Sequence, residues 1–193
     1  MRIKKSILIA FLFFSFTLLK AQKEDTCIIK TSLGNITVEL YSKRAPITVA
    51  NFLKYVDAHL FDSTSFFRAV RLDNQPKDSI KIEVIQGGSV DTAKEFAPIE
   101  LETTKQTGLH HRDGTLSMAR ATPNSATSSF FICINDQPTL DYGGKRNNDG
   151  QGFAAFGKVI EGMEVVRKIQ QLYPDQEQYF NPPVSILTIL HKL

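Results

Sequence analysis

Apolar and polar residues alternate along much of the chain, which is typical of β-strands with one buried face. Ile36, Val38 and Leu40 alternate with polar residues just after the turn at 32–34, and another β-like run occupies 27–31. These two runs predict a hairpin. Further strand-like runs, separated by polar or glycine-bearing loops, lie at 65–70, 80–86, 114–119, 130–134, 153–159 and 184–191.

Two segments have helical spacing instead. Apolar residues recur at i, i+3, i+4 and i+7 over 49–56, and Thr48 precedes them as a candidate N-cap. A second amphipathic helix is predicted over 162–172, with its apolar side formed by Met163, Val166 and Ile169. Many strands of mostly antiparallel type, with two helices far apart in sequence, predict a mainly β fold: a barrel or sandwich capped by helices.

One predicted strand contains two adjacent aromatic residues, Phe130 and Phe131. Side chains of consecutive strand residues point to opposite faces of a sheet. One of the two rings can therefore fill the core, while the other must lie on the outer face. The pattern by itself does not say which ring does which.

The first residues of the chain differ from the rest. Cations in residues 2–5 precede an apolar run at 7–19, and the small residue Ala21 follows it. This order predicts a cleaved signal peptide at 1–21 and a single mature domain at 22–193. The alternative is a membrane anchor, but thirteen apolar residues fall short of the roughly 20 that span a bilayer. We expect export, to the periplasm or else to the medium, without stable membrane insertion after cleavage.

Charge and cysteine usage refine this picture. The formal net charge of +3 becomes −1 once Lys20 and the three cations of residues 2–5 are removed, so a nucleic-acid partner is not indicated. Export permits a disulfide between Cys27 and Cys133. Both lie in apolar β-like runs, however, and we favour buried free thiols, with the pairing left open. A monomer is the default expectation.

Common catalytic and cofactor motifs are missing from the sequence. The segment at 150–155 begins like a dinucleotide loop, but Ala155 stands where the third glycine belongs and a strand follows. His110 and His111 are adjacent, so their side chains should diverge, and we expect a solvated loop there rather than a metal site. No serine lies in a nucleophile-elbow pattern. We therefore expect neither a cofactor nor hydrolase chemistry.

Four motifs in a fixed order remain, together with a segment before the first helix. They read SFFRAV at 65–70, IEVIQGG at 82–88, MARA followed by FF at 118–131, and GFAAFGKV at 152–159, with APITVANF at 45–52. In this order and spacing they resemble the cyclophilin family of peptidyl-prolyl cis-trans isomerases. The resemblance implies a closed eight-stranded antiparallel barrel capped by two α-helices. It also implies a shallow groove that binds extended polypeptides containing X-Pro.

The resemblance also implies roles for individual residues. Arg68 matches the family's catalytic arginine, which donates to the proline nitrogen or to the prolyl carbonyl, and Gln86 matches the glutamine that orients the substrate backbone. Phe131 matches the aromatic residue against which the proline ring packs, so Phe130 should face the core. The other implied substrate-binding positions are Val84, Leu140 and Phe153 in the pocket, Ala119 and Arg120 along the peptide backbone, and Ser129 in place of a second glutamine.

Several positions depart from the family pattern. By spacing, Glu83 falls where better-known members have a pocket phenylalanine, so a carboxylate would lie in the groove and either hold or quench Arg68. Thr139 replaces an aromatic residue, and the loop at 141–152 is longer than usual. Two interpretations follow: an active isomerase for exported proteins, or a weakly active peptide-binding chaperone or scaffold on the same fold.

Overall fold

Eight strands and three α-helices form in the computed structural model, which describes residues 24–172 and 177–192. The expected signal peptide lies outside the described residues. The strands are β1 (Asp25–Thr31), β2 (Gly34–Leu40), β3 (Ser65–Val70), β4 (Val84–Gly87), β5 (Thr115–Met118), β6 (Phe130–Cys133), β7 (Ala154–Glu161) and β8 (Tyr179–Lys192). The helices are α1 (Pro46–Asp57), α2 (Thr104–Thr107) and α3 (Met163–Gln170).

The strands close into one barrel in the order β1-β2-β7-β5-β6-β4-β3-β8, and every neighbouring pair is antiparallel. This confirms the predicted fold class. The barrel interior is aromatic: the ring of Phe130 meets that of Phe52 edge-on at 5.5 Å, and Phe156 lies 5.3 Å from Phe52 on another side. Since Phe52 belongs to α1, this helix closes the core to which the strands contribute their inner faces.

The start of α1 differs from the prediction. The helix begins at Pro46, and Thr48 is a fully buried residue of its first turn rather than its cap. The carboxylate of Glu102 caps the helix instead, because it accepts hydrogen bonds from the backbone N–H groups of Ile47 and Thr48 and from the Thr48 hydroxyl. An anion at a helix N-terminus also interacts favourably with the helix dipole. The cap comes from a distant loop, so local sequence did not reveal it.

β4 is shorter than the predicted run at 80–86. Ile82 lies before the strand, and its backbone N–H and C=O bond to the side-chain amide of Gln75 at 3.2 and 2.8 Å. A side-chain amide therefore replaces the strand ladder at this point. The short helix α2 was not predicted; Thr103 and Gln106 form a capping box at its start.

Both cysteines are free and buried, as we expected. Burial raises the pKa of Cys27 to about 12, and it raises the pKa of Cys133 well above its ordinary value. Both residues therefore act as small apolar side chains. Across the described ranges, no helix is long and apolar enough to cross a bilayer, and no group of His, Cys, Asp and Glu is arranged to hold a metal ion.

Candidate active site

A β-bulge in β3 determines which residues reach the outer wall of the barrel. The pairing of β3 with β4 and with β8 shifts between Phe66 and Arg68. Phe66 and Ala69 are fully buried, whereas Phe67 and Arg68 are both only partly buried. A regular strand would alternate, but the extra residue of the bulge lets two consecutive side chains face outward. Arg68 therefore projects from the barrel wall.

Two glutamines hold the Arg68 guanidinium. Nη1 donates to Oε1 of Gln86 at 3.1 Å, while Nε and Nη2 donate to Oε1 of Gln178 at 3.1 and 2.6 Å. The Gln178 amide is itself fixed, since its Nε2 donates to the backbone carbonyl of Asn74 at 2.9 Å. Gln178 was not predicted, because it comes from a polar segment far along the chain and belongs to no motif.

The charge of Arg68 is not neutralised by its holders. Among the described residues, its hydrogen-bond acceptors are neutral amides, and no carboxylate forms an ion pair with it. Burial lowers the pKa of Arg68 and the nearby charge of Arg146 lowers it further, whereas Tyr179 and the charge of Asp78 offset part of this effect. A guanidinium nevertheless stays protonated at neutral pH. Its remaining N–H groups are available to a ligand.

A cavity of about 210 Å³ adjoins Arg68. Its volume is below the roughly 300–1,000 Å³ of sites for drug-sized ligands, which suits one small ring rather than a cofactor. Apolar side chains form one part of its wall, and amides and guanidinium groups form the other part. The lining residues are Ile82, Val84, Ala119, Phe131, Leu140 and Phe153, with Arg68, Gln86, Arg120, Arg146 and Asn147 at the polar side.

The two adjacent phenylalanines divide as predicted. Phe130 is fully buried in the barrel core, whereas Phe131 belongs to a separate apolar cluster on the outer wall with Val84 and Leu140. The ring of Phe131 meets that of Phe153 at 5.3 Å and nearly perpendicular, at 88°. These two rings form one corner of the cavity.

Ser129 lies beside Gln86 rather than in the cavity wall. Nε2 of Gln86 donates to the Ser129 hydroxyl at 3.1 Å, and that hydroxyl donates to the carbonyl of Gly87 at 3.3 Å. The chain of bonds from Arg68 through Gln86 to Ser129 fixes the orientation of the Gln86 amide. Ser129 therefore positions a cavity residue and does not itself line the cavity.

Glu83 does not lie in the groove, and its assignment there is corrected. Its carboxylate accepts from Nδ2 of Asn135 at 2.9 Å and from Nε2 of Gln170 at 3.5 Å. Strand alternation is the reason, because Val84 faces the outer wall and its neighbour must face the other way. Ile82, two residues before Val84, occupies the cavity wall instead. Glu83 therefore neither holds nor quenches Arg68.

Arg120 lies at the cavity, but its side chain is engaged by the protein itself. The side chain is only 1% exposed and forms paired hydrogen bonds to the carboxylate of Asp149 at 2.7 and 2.9 Å. It also donates twice to the carbonyl of Gly152, and its guanidinium lies over the Phe153 ring at 5.2 Å. The Arg120 guanidinium thus anchors the 141–152 loop to the cavity wall, and these contacts occupy its side chain.

The anchored loop adds two cavity residues that sequence reasoning missed, Arg146 and Asn147. Nη1 of Arg146 donates to the carbonyl of Ile80 at 2.6 Å and lies 3.3 Å from the carboxylate of Asp78. The long loop was predicted, and its polar composition was visible, but no spacing rule indicated which of its residues would turn inward.

Beneath Phe131 lies a polar network built around the buried side chains of His111 and Ser117, where we had expected a solvated loop. The imidazoles of His110 and His111 both contact the carboxylate of Asp141, at 2.9 and 2.6 Å. Nε2 of His111 lies 2.9 Å from the Ser117 hydroxyl, and the His111 ring stacks on Phe131. The connectivity matches a serine hydrolase triad, but Ser117 is completely buried and cannot meet a substrate.

The protonation states within this network follow from burial and hydrogen bonding. Burial lowers the pKa of His111, and the hydrogen bond and charge of Asp141 offset this effect only in part. Burial alone would raise the pKa of Asp141, but hydrogen bonds from His111 and His110 outweigh it and lower the pKa to about 2. A neutral His111 therefore donates to an ionised Asp141 through Nδ1 and accepts from Ser117 through Nε2.

A larger depression of about 270 Å³ lies elsewhere on the surface, lined by residues that include Arg44, Arg112 and Lys158. It contains neither Arg68 nor the aromatic corner, and Arg112 is already paired with Asp136. The smaller cavity, where a fixed cation meets an apolar notch, is therefore the candidate site.

Comparisons with known proteins show which proteins this chain resembles. A family model described as cyclophilin type peptidyl-prolyl cis-trans isomerase/CLD matches residues 26–190. A peptidyl-prolyl cis-trans isomerase of Acinetobacter baylyi is 39% identical over 170 residues, which cover 83% of this chain and 82% of that protein. Peptidyl-prolyl cis-trans isomerase A of Dickeya dadantii is 35% identical over 166 residues, which cover 84% and 80%.

A solved structure has a similar fold. It is a cyclophilin type peptidyl-prolyl cis-trans isomerase of Cryptosporidium parvum, crystallised in the presence of the dipeptide Ala-Pro. The TM-score is 0.69 at 24% sequence identity, and the match covers 87% of this chain and 99% of that one. The similarities in sequence and in fold both extend over most of the barrel.

Proposed function

This chain belongs to the cyclophilin-type peptidyl-prolyl cis-trans isomerases, and from that premise we propose that Arg68 and the adjoining cavity catalyse rotation about X-Pro bonds. The single observation that carries the proposal is the geometry at the cavity mouth. There the Arg68 cation is fixed by Gln86 and Gln178 without being neutralised, directly beside an apolar notch of suitable size. The substrates are polypeptides that contain X-Pro in extended form.

The reaction requires no bond cleavage. Rotation about an X-Pro bond passes through a twisted amide, with an intrinsic barrier of roughly 18–20 kcal/mol. In the twisted state the proline nitrogen regains a lone pair and becomes a hydrogen-bond acceptor. A donor that meets this lone pair stabilises the transition state more than the planar ground state, which is the condition for catalysis.

Arg68 supplies that donor. Its amide holders leave N–H groups and a full positive charge available, either to the proline nitrogen or to the prolyl carbonyl. A reduction of the barrier by roughly 5 kcal/mol accelerates the step several thousandfold. The donor is oriented before the substrate arrives, so little reorganisation is needed during rotation.

The cavity holds the proline ring while the other side of the bond turns. Phe131, Leu140 and Phe153 provide an apolar surface for the ring methylenes, and Val84 closes the adjacent side. The backbone at Ala119 and Arg120, together with the Gln86 amide, is placed to bind the peptide backbone next to the proline. The proline ring is held on one side of the X-Pro bond and the peptide backbone on the other, so rotation occurs about that bond.

The test compares exchange between the cis and trans forms of an Ala-Ala-Pro-Ala peptide, measured by NMR with the wild type, Arg68→Ala and Arg68→Lys. We expect Arg68→Ala to lower kcat/KM by roughly a hundredfold or more, because one preorganised donor is lost. Arg68→Lys should recover only part of the rate, since lysine lacks the planar fork. Arg112→Ala is the matched control, because Arg112 does not line this cavity.

The same experiment separates the alternative, a weakly active peptide-binding chaperone or scaffold. Peptide binding by the wild type without faster exchange between cis and trans would support the scaffold. Equal rates for the wild type and Arg68→Ala would contradict the arginine-assisted mechanism. Glu83 no longer supports the scaffold, because its side chain lies away from Arg68. The replacements at Ser129 and Thr139 still support it.

We also propose that the protein acts after export, most simply in a periplasm. The support is the sequence of residues 1–21, with its basic start, apolar run and small residue before the expected cleavage point. Uncatalysed X-Pro isomerisation is slow enough to limit folding outside the cytoplasm. The intact mass of protein recovered from a periplasmic extract should correspond to a chain that starts at Gln22. Full-length protein confined to the cytosol would contradict export.

A further inference from the structure

Two stacked aromatic rings lie beside Arg68 and take no part in the proposed proline pocket. The rings of Phe67 and Tyr179 are nearly parallel, at 12°, with centroids 6.5 Å apart. Tyr179 is 65% exposed, although it is a large aromatic residue within a strand. Exposed aromatic surface next to a binding site is enriched at sites of interaction.

Phe67 and Tyr179 both lie next to Arg68. The bulge in β3 turns Phe67 outward next to Arg68, and Tyr179, at the start of β8, is the β-ladder partner of Arg68. The Arg68 guanidinium carbon lies 5.7 Å from the centroid of the Tyr179 ring. Arg68 therefore has the proline cavity on one side and an aromatic ring on the other.

One of the two acceptors proposed for Arg68, the prolyl carbonyl, indicates which part of a substrate meets these rings. If Arg68 binds the prolyl carbonyl, the residue joined to that carbonyl leaves the cavity at Arg68. Tyr179 is exposed and lies directly beside Arg68. Hence we propose that Phe67 and Tyr179 form a subsite for the side chain of the residue that directly follows proline, with a preference for aromatic side chains. The inference rests on the proposed function.

The chemistry of the pair favours an aromatic occupant. Aromatic rings attract one another in stacked or edge-on arrangements with centroids about 4.5–7 Å apart, and this contribution exceeds that of area alone. The Phe67–Tyr179 stack supports Tyr179 from one side, so little side-chain entropy is lost when a substrate ring packs against it. The adjacent Arg68 charge also offers an attraction to an acidic side chain, and the test must separate these two effects.

The test uses tetrapeptides Ala-Ala-Pro-Xaa in which Xaa is Phe, Leu, Ala or Asp, with exchange rates measured by NMR at several peptide concentrations. For the wild type, kcat/KM should be roughly three- to tenfold higher for Phe than for Ala. The difference should lie mainly in KM, because the subsite binds the ground and transition states alike. A higher value for Asp than for Phe would overturn the proposal in favour of simple charge attraction.

Variants at Tyr179 test whether this ring causes the difference between the Phe and Ala peptides. Tyr179→Ser should bring the ratio of the Phe and Ala peptides close to one, whereas Tyr179→Phe should keep the wild-type ratio. Leu187→Ser is the matched control, since Leu187 is 56% exposed on the same strand, eight residues farther along, and should leave the ratio unchanged. Equal losses on all peptides with Tyr179→Ser would mean that the ring only steadies Arg68, and this would overturn the subsite.

The failure of this inference can be told apart from the failure of the proposed function. If the wild type accelerates none of the four peptides, the isomerase mechanism itself is contradicted. If it accelerates all four equally, the mechanism stands and only the aromatic subsite is rejected.

Discussion

At the residue scale, the choice of partners for Arg68 explains how one cation can be both fixed and available. A carboxylate would orient the guanidinium as well as an amide does, but it would also compensate the charge. Gln86 and Gln178 supply oxygen acceptors without a negative charge. In the proposed mechanism, the field of the cation is therefore kept for a substrate that becomes a better acceptor only as it twists.

Replacing Gln178 tests this arrangement. In Gln178→Ala the guanidinium loses two of its hydrogen bonds and can leave its position at the cavity mouth. We expect kcat to fall by between roughly tenfold and a hundredfold, since a small displacement of a catalytic group has effects of this size. KM should change less, because the apolar cavity is intact. Rates are measured with the Ala-Ala-Pro-Ala peptide.

The matched control is Gln170→Ala, which removes another glutamine amide that bonds to Glu83 outside the cavity. Its rate should equal that of the wild type. Thermal unfolding of both variants separates a local effect from a loss of folded protein. A Gln178→Ala enzyme with unchanged kcat would mean that Gln86 alone orients Arg68.

The sequence indicated some of these residues and not others. Arg68 and Phe131 stand in motifs whose order points to one family, and alternation required Phe130 and Phe131 to separate. Gln178 could not be found in this way, because its partner is far away in sequence and the contact depends on how β8 approaches β3. Glu83 was misplaced because motif spacing gave its position along the chain but not the direction of its side chain.

At the element scale, the 141–152 loop is held against the cavity by a buried cation. Four hydrogen bonds from Arg120 reach Asp149 and Gly152. Gly152 has a φ of +67°, and a Cβ there would lie only 2.5 Å from the Leu140 carbonyl oxygen, so only glycine fits. The hydrogen bond from Arg120 lowers the pKa of Asp149, which keeps the anchor ionised at neutral pH.

Weakening this anchor should alter substrate binding more than turnover. In Asp149→Asn the paired charge contact is lost, so the loop that presents Arg146 and Asn147 becomes more mobile. We expect KM to rise roughly three- to tenfold with a smaller change in kcat, because charge-assisted hydrogen bonds contribute about 1.5–3 kcal/mol and part of the contact remains. Hydrogen exchange of the loop amides should accelerate in parallel.

Asp136→Asn provides the comparison, since Asp136 pairs with the exposed guanidinium of Arg112 away from the cavity. Exposed pairs of this kind contribute little, and neither KM nor loop exchange should change. An Asp149→Asn enzyme with wild-type KM would show that the bonds from Arg120 to Gly152 hold the loop by themselves.

Two pairs of adjacent phenylalanines show the limits of prediction for elements. In β6, Phe130 and Phe131 alternate as the strand period requires. In β3, Phe66 is buried and Phe67 is not, but the following Arg68 also faces outward. The bulge responsible arises from pairing with two partner strands, so the sequence of β3 alone cannot show it. The sequence predicted strand β3, but it did not predict that Phe67 and Arg68 would both face outward.

At the scale of the whole molecule, the buried network beneath Phe131 links stability to pH. The unfolded chain protonates His111 near its ordinary pKa of 6.5, whereas burial keeps the folded form neutral to lower pH. The unfolded state therefore binds more protons, and acid favours unfolding. The stabilisation is fully present above about pH 6.5 and is lost as the pH falls below that value. Asp141 adds a further loss between its ordinary pKa of 3.8 and its folded value of about 2.

Urea titrations at several pH values between 5 and 8 check this prediction. The free energy of unfolding should decline toward pH 5 in the wild type, and His111→Asn should flatten the decline even if it lowers stability throughout. His59→Asn, at an exposed position, should keep the wild-type slope. An unchanged slope in His111→Asn would assign the acid sensitivity to other groups.

The described strands form a closed barrel, which limits how other extended chains can pair with this isomerase. Sheets with an unpaired margin recruit other extended chains and so seed co-aggregation. In this barrel each strand is flanked by a neighbour on both sides. A half-folded polypeptide that binds at the proposed site therefore meets no unpaired strand among the described residues on which a fibre could grow.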